Sequence, residues 1–387
     1  MDFELDDEQR LLVDSARAFA SHELAPHAAD WDRDHQFPVE VLKRAGEQGY
    51  LALYIPEEDG GLGLSRLSAA LIFEQLAAGC VATTAFMTIH NMATWMLASF
   101  AEQALKDQWL PGLVSGERLA SYCLTEPDAG SDAAQLRTRA RRDGDDYVLD
   151  GSKCFISGAG STDVLIVMAR SGAEGAKGIS CFLVPADAAG VKYGRNELKM
   201  GWCAQPTRTI AFEGVRIPAG NRIGPEGQGF IYAMQGLDGG RLNIASCSLG
   251  AAQAALEQSL RYVEERKQFG KALSEFQALQ FKLADMLTDL TASRQMVRLA
   301  AHKLDRKHGE ASLYCAMAKR FATDHCFNLC NEALQLHGGY GYLNDYPLER
   351  WVRDSRVHQI LEGTNEIMRV IIARRLLQQG GMLDRLL

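Results

Sequence analysis

Three textures follow one another along the chain. From Asp6 to about Glu117 apolar residues recur at helical intervals: Leu12, Ala16 and Phe19 stand four and three apart, and SRLSAALIFEQLAAGC continues the period with Leu67, Leu71 and Phe73. Breakers such as IPEEDGGLGLS separate these helices. Between about Leu119 and Pro225 the pattern changes to short β-rich runs, YVL, DVLIVMAR, ISCFLVPA and TRTIAFEGVRI, with Asp143-Gly144 and Asp150-Gly151 read as turn dipeptides on either side of YVL. This predicts a small antiparallel barrel or sandwich. From Gly229 onward long helical stretches return, and their lengths fit an antiparallel four-helix bundle whose last helix follows Glu362. The predicted fold is mostly α with a central β-domain, divided into an N-terminal helical unit (1–117), a middle β-barrel (118–226) and a C-terminal helical bundle (227–387).

Composition narrows the function classes. A chain of 387 residues, 47% of them hydrophobic, has enough apolar material for a large core and two to three structural units. A net charge of −8 argues against a nucleic-acid partner, though a local basic patch could still hold a phosphorylated ligand. The nine cysteines form no CxxC pair and read as reduced, buried thiols of a cytosol-like compartment, with no metal site. The acidic start MDFELDDEQRLL resembles neither a signal nor a transit peptide, and no apolar run approaches the about 20 residues of a membrane span. Rossmann, P-loop, nucleophile-elbow and zincin motifs are missing. His337 and His358 are expected to be structural hydrogen-bonding residues.

What remains is a set of unusual local stretches. YCLTEPDAGSD, from Tyr122 to Asp132, is a loop of hydroxyls and small residues that lets a planar ligand approach the backbone, or else an ordinary turn. On a regular strand Phe155 and Ser157 project from one face and offer an aromatic surface beside a donor. ERKQFGKALSEFQ sets Arg266 and Gln277 where two long helices join, a place where cations and free N–H groups can grip a phosphate. QLHGGYGYL closes a helix on Gly338 and Gly339. In QILEGTNEIMRV a carboxylate, Glu362, stands before a helix, where a glutamate is ordinarily a solvated surface group.

Together YCLTEPDAGSD, RKQFG, QLHGGYGYL and RDSRVHQILEGTNEIMR, in this order and on this helix–strand–bundle plan, resemble the acyl-CoA dehydrogenase family over nearly the whole chain. The resemblance implies FAD as cofactor. It assigns to the flavin Tyr122, Leu124, Thr125, Gly130 and Ser131, with Phe155 (where many members have Trp), Ile156 and Ser157. It gives the pyrophosphate and adenosine of a neighbouring subunit's FAD to Arg266, Phe269, Phe276, Gln277, Gln335, Gly338 and Gly339, with Thr364 and Glu366 on the other side. A site shared in this way implies a homo-oligomer, a tetramer in the family. Glu362 becomes the base that removes the α-proton of an acyl-CoA thioester; the position where some relatives carry theirs is Gly240, which has no proton acceptor. Ser131, Asp238, Gly239, Gly240, Arg241, Gly363 and Arg374 match contacts to the acyl-CoA, although Arg241 could equally be a structural ion pair.

Within that family GLDGGRLNIASCSLGAAQ and RDSRVHQILEGTNEIMR resemble members that act on a short acyl chain branched at Cα, and the resemblance implies isobutyryl-CoA converted to methacrylyl-CoA in valine breakdown, with 2-methylbutyryl-CoA and straight C4 chains as alternatives. Electron-transfer flavoprotein is the implied acceptor. The implied location is the cytoplasm, or the mitochondrial matrix for a mature form.

Overall fold

The computed structural model describes residues 4–378, so the outermost residues of the first and last predicted units lie outside it. Six helices come first: α1 (Asp7–Phe19), α2 (Ala28–Arg33), α3 (Val39–Glu47), α4 (Arg66–Gly79), α5 (Val81–Phe100) and α6 (Gln103–Ser115). α1 starts where a capping box allows it, Asp6 Oδ1 accepting the Gln9 N–H at 2.8 Å while Gln9 Oε1 accepts the Asp6 N–H at 3.2 Å. α5 is buried on nearly every face, as its almost wholly uncharged sequence demands, and it packs on both the β-domain and the bundle.

Eight strands follow: β1 (Ala120–Cys123), β2 (Arg139–Asp143), β3 (Asp146–Ser157), β4 (Val164–Arg170), β5 (Ile179–Pro185), β6 (Val191–Tyr193), β7 (Thr207–Pro218) and β8 (Arg222–Ile223). They run β6-β7-β3-β2-β4-β5-β8, with β1 beside β4. The expectation of an antiparallel barrel is corrected in one respect: the β1–β4 and β2–β4 pairings are parallel, so the sheet is mixed. Asp143-Gly144 makes the β2–β3 turn, but Asp150-Gly151 does not turn the chain. β3 continues through it with a register shift, and a Cβ on Gly151 would stand 2.6 Å from Thr138 Cα, so the glycine marks a bulge packed on the neighbouring strand.

The last third holds α7 (Gly229–Glu265), a two-stranded hairpin of β9 (Lys267–Gln268) and β10 (Lys271–Ala272), α8 (Gln277–Asp305), α9 (Ala311–His337), α10 (Leu348–Arg356) and α11 (Asn365–Gln378). α7, at 37 residues about 55 Å long, runs helically through GLDGG and packs against α4, α5, α8 and α9. The short α10 was not expected. It leads through a tight turn, Val357–Gln359, into the segment carrying Glu362.

Candidate active site

Glu362 and Gly363 adopt φ of +54° and +85°, two left-handed residues in succession, before Thr364 caps α11 by accepting the Ile367 N–H at 3.2 Å. A β-carbon is disfavoured in that region, so the Glu362 backbone is held by its surroundings. The residue is half-buried, yet its Oε2 is sealed from solvent and has no hydrogen-bond partner. None of the hydrogen bonds among the described residues uses the Glu362 N–H. Burial pushes the carboxyl up to about 7, against the opposing pull of Lys319 and Arg241. A carboxylate near this value accepts a proton from carbon far better than a solvated one.

The wall opposite is α7. A Cβ on Gly240 would fall inside the Glu362 carboxylate, one on Gly239 would stand 2.5 Å from Arg66 Nη1, and one on Gly236 would stand 3.3 Å from Met96 Sδ. The base and Arg66 therefore already occupy the space beside Gly240 and Gly239. The Arg66 guanidinium lies 3.5 Å from the centre of the Tyr54 ring and 5.2 Å from that of Trp95, and Met92 Sδ would be 3.3 Å from a Gly240 Cβ. Tyr54 accepts from Asn243 Nδ2 at 3.2 Å. On β1, Tyr122 contributes a second buried, unpartnered polar atom, its Oη, with a pKa driven well up by burial and then by Glu362. Sequence reasoning missed Tyr54, Arg66, Met92 and Lys319, since each looks like an ordinary helix or loop residue until the fold brings it to Glu362.

The remaining predicted residues fall into two groups. Leu124 is buried, Thr125 is half-buried, and Gly130 and Ser131 are exposed in the loop after β1. Phe155 is 72% exposed, Ile156 is buried between it and half-buried Ser157, and Phe155 has φ of +59° where the β3–β7 register shifts. Exposure sets Phe155 and Ser157 apart from Ile156 as alternation on a strand expects, but the left-handed Phe155 interrupts the regular strand.

In the second group Arg266, Gln335, Gly338 and Gly339 line one cleft of ≈ 500 Å³, with Arg266 stacked 5.5 Å from the Tyr340 ring centre. Phe269 (94% exposed, φ +53°) meets Phe276 edge-on at 6.3 Å in and beside the hairpin, and Gln277 opens α8. A larger cavity, ≈ 770 Å³ between α3 and α6, contains none of these residues; volume alone does not locate this chemistry.

Asp238 and Arg241 pair with each other, and Ser312 Oγ donates to Asp238 at 2.8 Å. Glu366 faces Arg369 at 3.5 Å, and Arg374 is exposed beside the Arg375–Glu310 pair. Gly363 lacks a side chain for a local reason, because a Cβ there would stand 2.6 Å from Met368 Cε. His358 and His337 make the structural hydrogen bonds expected of them: His358 with Ser248 Oγ (2.7 Å) and Trp202 Nε1 (3.3 Å), His337 with the Ala333 carbonyl (2.8 Å). All nine cysteines are buried, free thiols.

Residues 6–117, 121–215 and 227–377 match, respectively, the N-terminal, middle and C-terminal domains of acyl-CoA dehydrogenase. The chain belongs to the acyl-CoA dehydrogenase family. It is 52% identical over 375 residues to the mitochondrial isobutyryl-CoA dehydrogenase of Bos taurus, covering 97% of this chain and 90% of that one. Among solved structures, butyryl-CoA dehydrogenase from Megasphaera elsdenii superposes with a TM-score of 0.94 at 37% identity, covering 97% of this chain and all of that one. A chain reported with the electron transferring flavoprotein of Acidaminococcus fermentans superposes with a TM-score of 0.95 at 38% identity, over 97% of this chain and 100% of that one. The three matched domains are helical, β and helical in chain order, and the Glu362 side chain lies against Gly240 of α7. No helix among the described residues is long and apolar enough to cross a membrane.

Proposed function

We propose that this acyl-CoA dehydrogenase desaturates short, Cα-branched acyl-CoA thioesters, isobutyryl-CoA foremost, with Glu362 as the base. The observation that carries the reading is the Glu362 carboxylate itself: buried, raised to about 7, with Oε2 unpartnered and aimed at a glycine on α7. Glu362 takes the α-proton of the thioester onto a carboxylate oxygen. As that bond breaks, negative charge grows on the thioester carbonyl, and the unused Glu362 N–H is a donor available to meet it. Gly240 cannot perform this step, so the base is singular.

The residues present fit FAD. Phe155 and Phe269 expose aromatic faces, and Cβ atoms on Gly130, Gly338 and Gly339 would meet nothing within 4 Å. Tyr122 to Ser131 with Phe155 to Ser157 would hold the ring, and Arg266, Gln335, Gly338 and Gly339 would hold the pyrophosphate end of a partner subunit's cofactor, Arg266 supplying the cation. FAD, when bound, supplies the acceptor for the β-hydrogen, which leaves as hydride. Sharing of this kind supports a homo-oligomer, a tetramer by family likeness, and electron-transfer flavoprotein as the onward acceptor. Nine reduced cysteines suit the cytoplasm or a mitochondrial matrix.

The branched-chain preference is supported by the 52% identity to isobutyryl-CoA dehydrogenase, and Arg66, Met92 and Met96 stand against Gly236 to Gly240 on the wall that an acyl pocket beside the base would share. A single methylene in such a pocket is worth about 1 to 3 kcal/mol, so C4 and C5 substrates should differ by only about 10-fold to 200-fold. Anaerobic titration of the holoenzyme with isobutyryl-, 2-methylbutyryl-, butyryl- and octanoyl-CoA, read by flavin bleaching, tests the reading. Isobutyryl-CoA should bleach fastest and octanoyl-CoA negligibly. A straight-chain preference would refute the branched-chain reading, and rapid peroxide formation under aerobic turnover would make the protein an oxidase.

A further inference from the structure

α9 presents Lys319, Thr323 and Asp324 to the segment that carries Glu362. Lys319 is fully buried, at 0% exposure, and its Nζ donates to the Gly363 carbonyl at 2.8 Å and to Asn365 Oδ1 at 2.9 Å. Asn365 Nδ2 in turn donates to Thr323 Oγ1 at 2.9 Å and to Asp324 Oδ1 at 2.7 Å. On the other side of the base, Gln359 Nε2 donates to the same Asp324 oxygen at 2.8 Å. The backbone is thus tied to one helix both before and after Glu362, while the Glu362 Oε2 itself is left without a bond. Two left-handed residues in succession, the first bearing a side chain, need such a restraint to keep their shape. A buried lysine stem costs rotamer freedom and its ammonium costs hydration, so its placement here calls for a reason beyond packing.

We propose that Lys319 is the positioning residue of the base: its ammonium fixes the Gly363 carbonyl and Asn365, and that aims Glu362. The inference rests on Glu362 being the base. The charged groups facing this pair are Asp324 on α9 itself, Arg241 on α7 and Glu366 on α11; Tyr54 and, on β1, Tyr122 face Glu362 with phenols that burial keeps neutral, and His358, near Lys319, is kept neutral by burial, its pKa brought down to about 3. Burial brings Lys319 down to about 7 while Glu362 and Asp324 hold it up, and of the two cations that oppose the rise of Glu362, Lys319 acts before Arg241. Without Lys319 the carboxyl gives up its proton only at higher pH.

The test compares Lys319→Met, which removes donor and charge, with Lys319→Gln, which keeps a donor, both as holoenzymes. The readouts are melting temperature, flavin absorbance, and anaerobic flavin reduction by isobutyryl-CoA across about pH 6 to 9. Lys319→Met should keep its flavin, bind acyl-CoA with nearly the parent KM, lose about 100-fold in kcat from misaimed geometry, and move its acidic limb about one pH unit toward alkaline. Lys319→Gln should recover part of kcat but keep the displaced limb. A lowered melting temperature with kcat and the pH profile unchanged in both variants makes Lys319 merely structural and overturns the proposal. If Lys319→Met does not fold, Asn365→Ala decides: it leaves the cation but removes its second acceptor, so kcat should fall about 10-fold with the acidic limb in place, and an unchanged kcat overturns the proposal. Glu362→Gln is run alongside. Its retention of normal reduction would refute the base itself, whereas its inactivity together with an unaltered Lys319→Met refutes only the positioning role.

Discussion

The β-domain and the C-terminal bundle each bury a glutamate beside a buried lysine, and they treat the two acids in opposite ways. In the β-domain Glu126 accepts from the Arg137 N–H at 2.5 Å, the Thr138 N–H at 2.9 Å and Lys153 Nζ at 2.7 Å. Burial works against its charge, but Lys153 and these bonds together draw its pKa below the usual carboxylate value. In the bundle Lys319 gives its protons to a carbonyl and an amide oxygen instead, and the carboxylate it faces is left with an orphaned oxygen and a pKa near 7. Residue types are the same in the two places, and both lysines are fully buried. What differs is where the donors point, and that decides whether a buried carboxylate holds the fold together or stands ready to take a proton.

The sharpest way to break this comparison is to neutralise each acid in turn. Glu362→Gln should fold and stay yellow while flavin reduction by isobutyryl-CoA falls by about 10³-fold to 10⁴-fold, because an amide cannot accept the α-proton. Glu126→Gln should act on stability instead. It leaves Lys153, itself fully buried, facing an amide, and breaking a buried pair in this way costs about 3 to 5 kcal/mol, readable by chemical denaturation. The acidic limb of its pH–rate profile should match the parent's. If Glu126→Gln shifted that limb, the division between a structural and a chemical acid would collapse.

Stability against pH sharpens the contrast, because the two acids carry opposite signs. The Glu362 pKa is raised on folding, from 4.5 to about 7, so the native state holds a proton that the unfolded chain has released between those values. The cost to stability therefore appears as pH rises through that window and is complete above about 7. Glu362→Gln should remove it, making the variant about 3 kcal/mol more stable than the parent at about pH 8, with the gap closing toward pH 4.5. Glu126 is lowered on folding. Its contribution is present above the unfolded value of 4.5 and is lost as pH falls through its lower folded value, so Glu126→Gln should lose most of its disadvantage only in acid. Denaturant titrations at several pH values follow both trends, and a Glu362→Gln advantage that did not change with pH would mean the carboxylate is ionised at little cost.

Much of this molecule can be read from its sequence, and the part that cannot shares one physical cause. The helical periods of the first and last thirds and the β-rich middle were visible because they are local patterns that burial enforces over many residues, as in α1 and β4. The segment with Glu362 was visible through its resemblance to a family, not through any periodicity. What stayed hidden depends on partners distant in sequence. Asp150-Gly151 has the dipeptide of a turn, and only the closeness of Thr138 makes it a bulge. Lys319 in YCAMAKRF looks like any solvated helix lysine until α11 and its preceding loop fold onto α9. Glu126 sits in a stretch read for its small residues, and nothing local announces that Lys153 lies 27 positions away on β3 to meet it.

The smallest expected effect compares two neighbours on β1, one bonded and one not. Ser121 Oγ donates to the Ser157 carbonyl at 2.7 Å and lies 2.8 Å from Thr162 Oγ1, so Ser121→Ala strands buried partners and should cost about 1 to 3 kcal/mol. Tyr122 Oη is buried with nothing to bond, and it lies close enough to Glu362 for the two to affect each other's charge. Removing a group that already bears its full desolvation penalty forfeits no hydrogen bond, so Tyr122→Phe should leave the holoenzyme within about 0.5 kcal/mol of the parent or slightly more stable. Both are measured by denaturation at saturating FAD, so that weaker cofactor binding does not masquerade as lost folding energy. A large loss in Tyr122→Phe, equal to that of Ser121→Ala, would show that the hydroxyl has a partner in the loaded enzyme. The orphaned atoms beside Glu362 would then be donors held for a ligand rather than groups simply left unpaired.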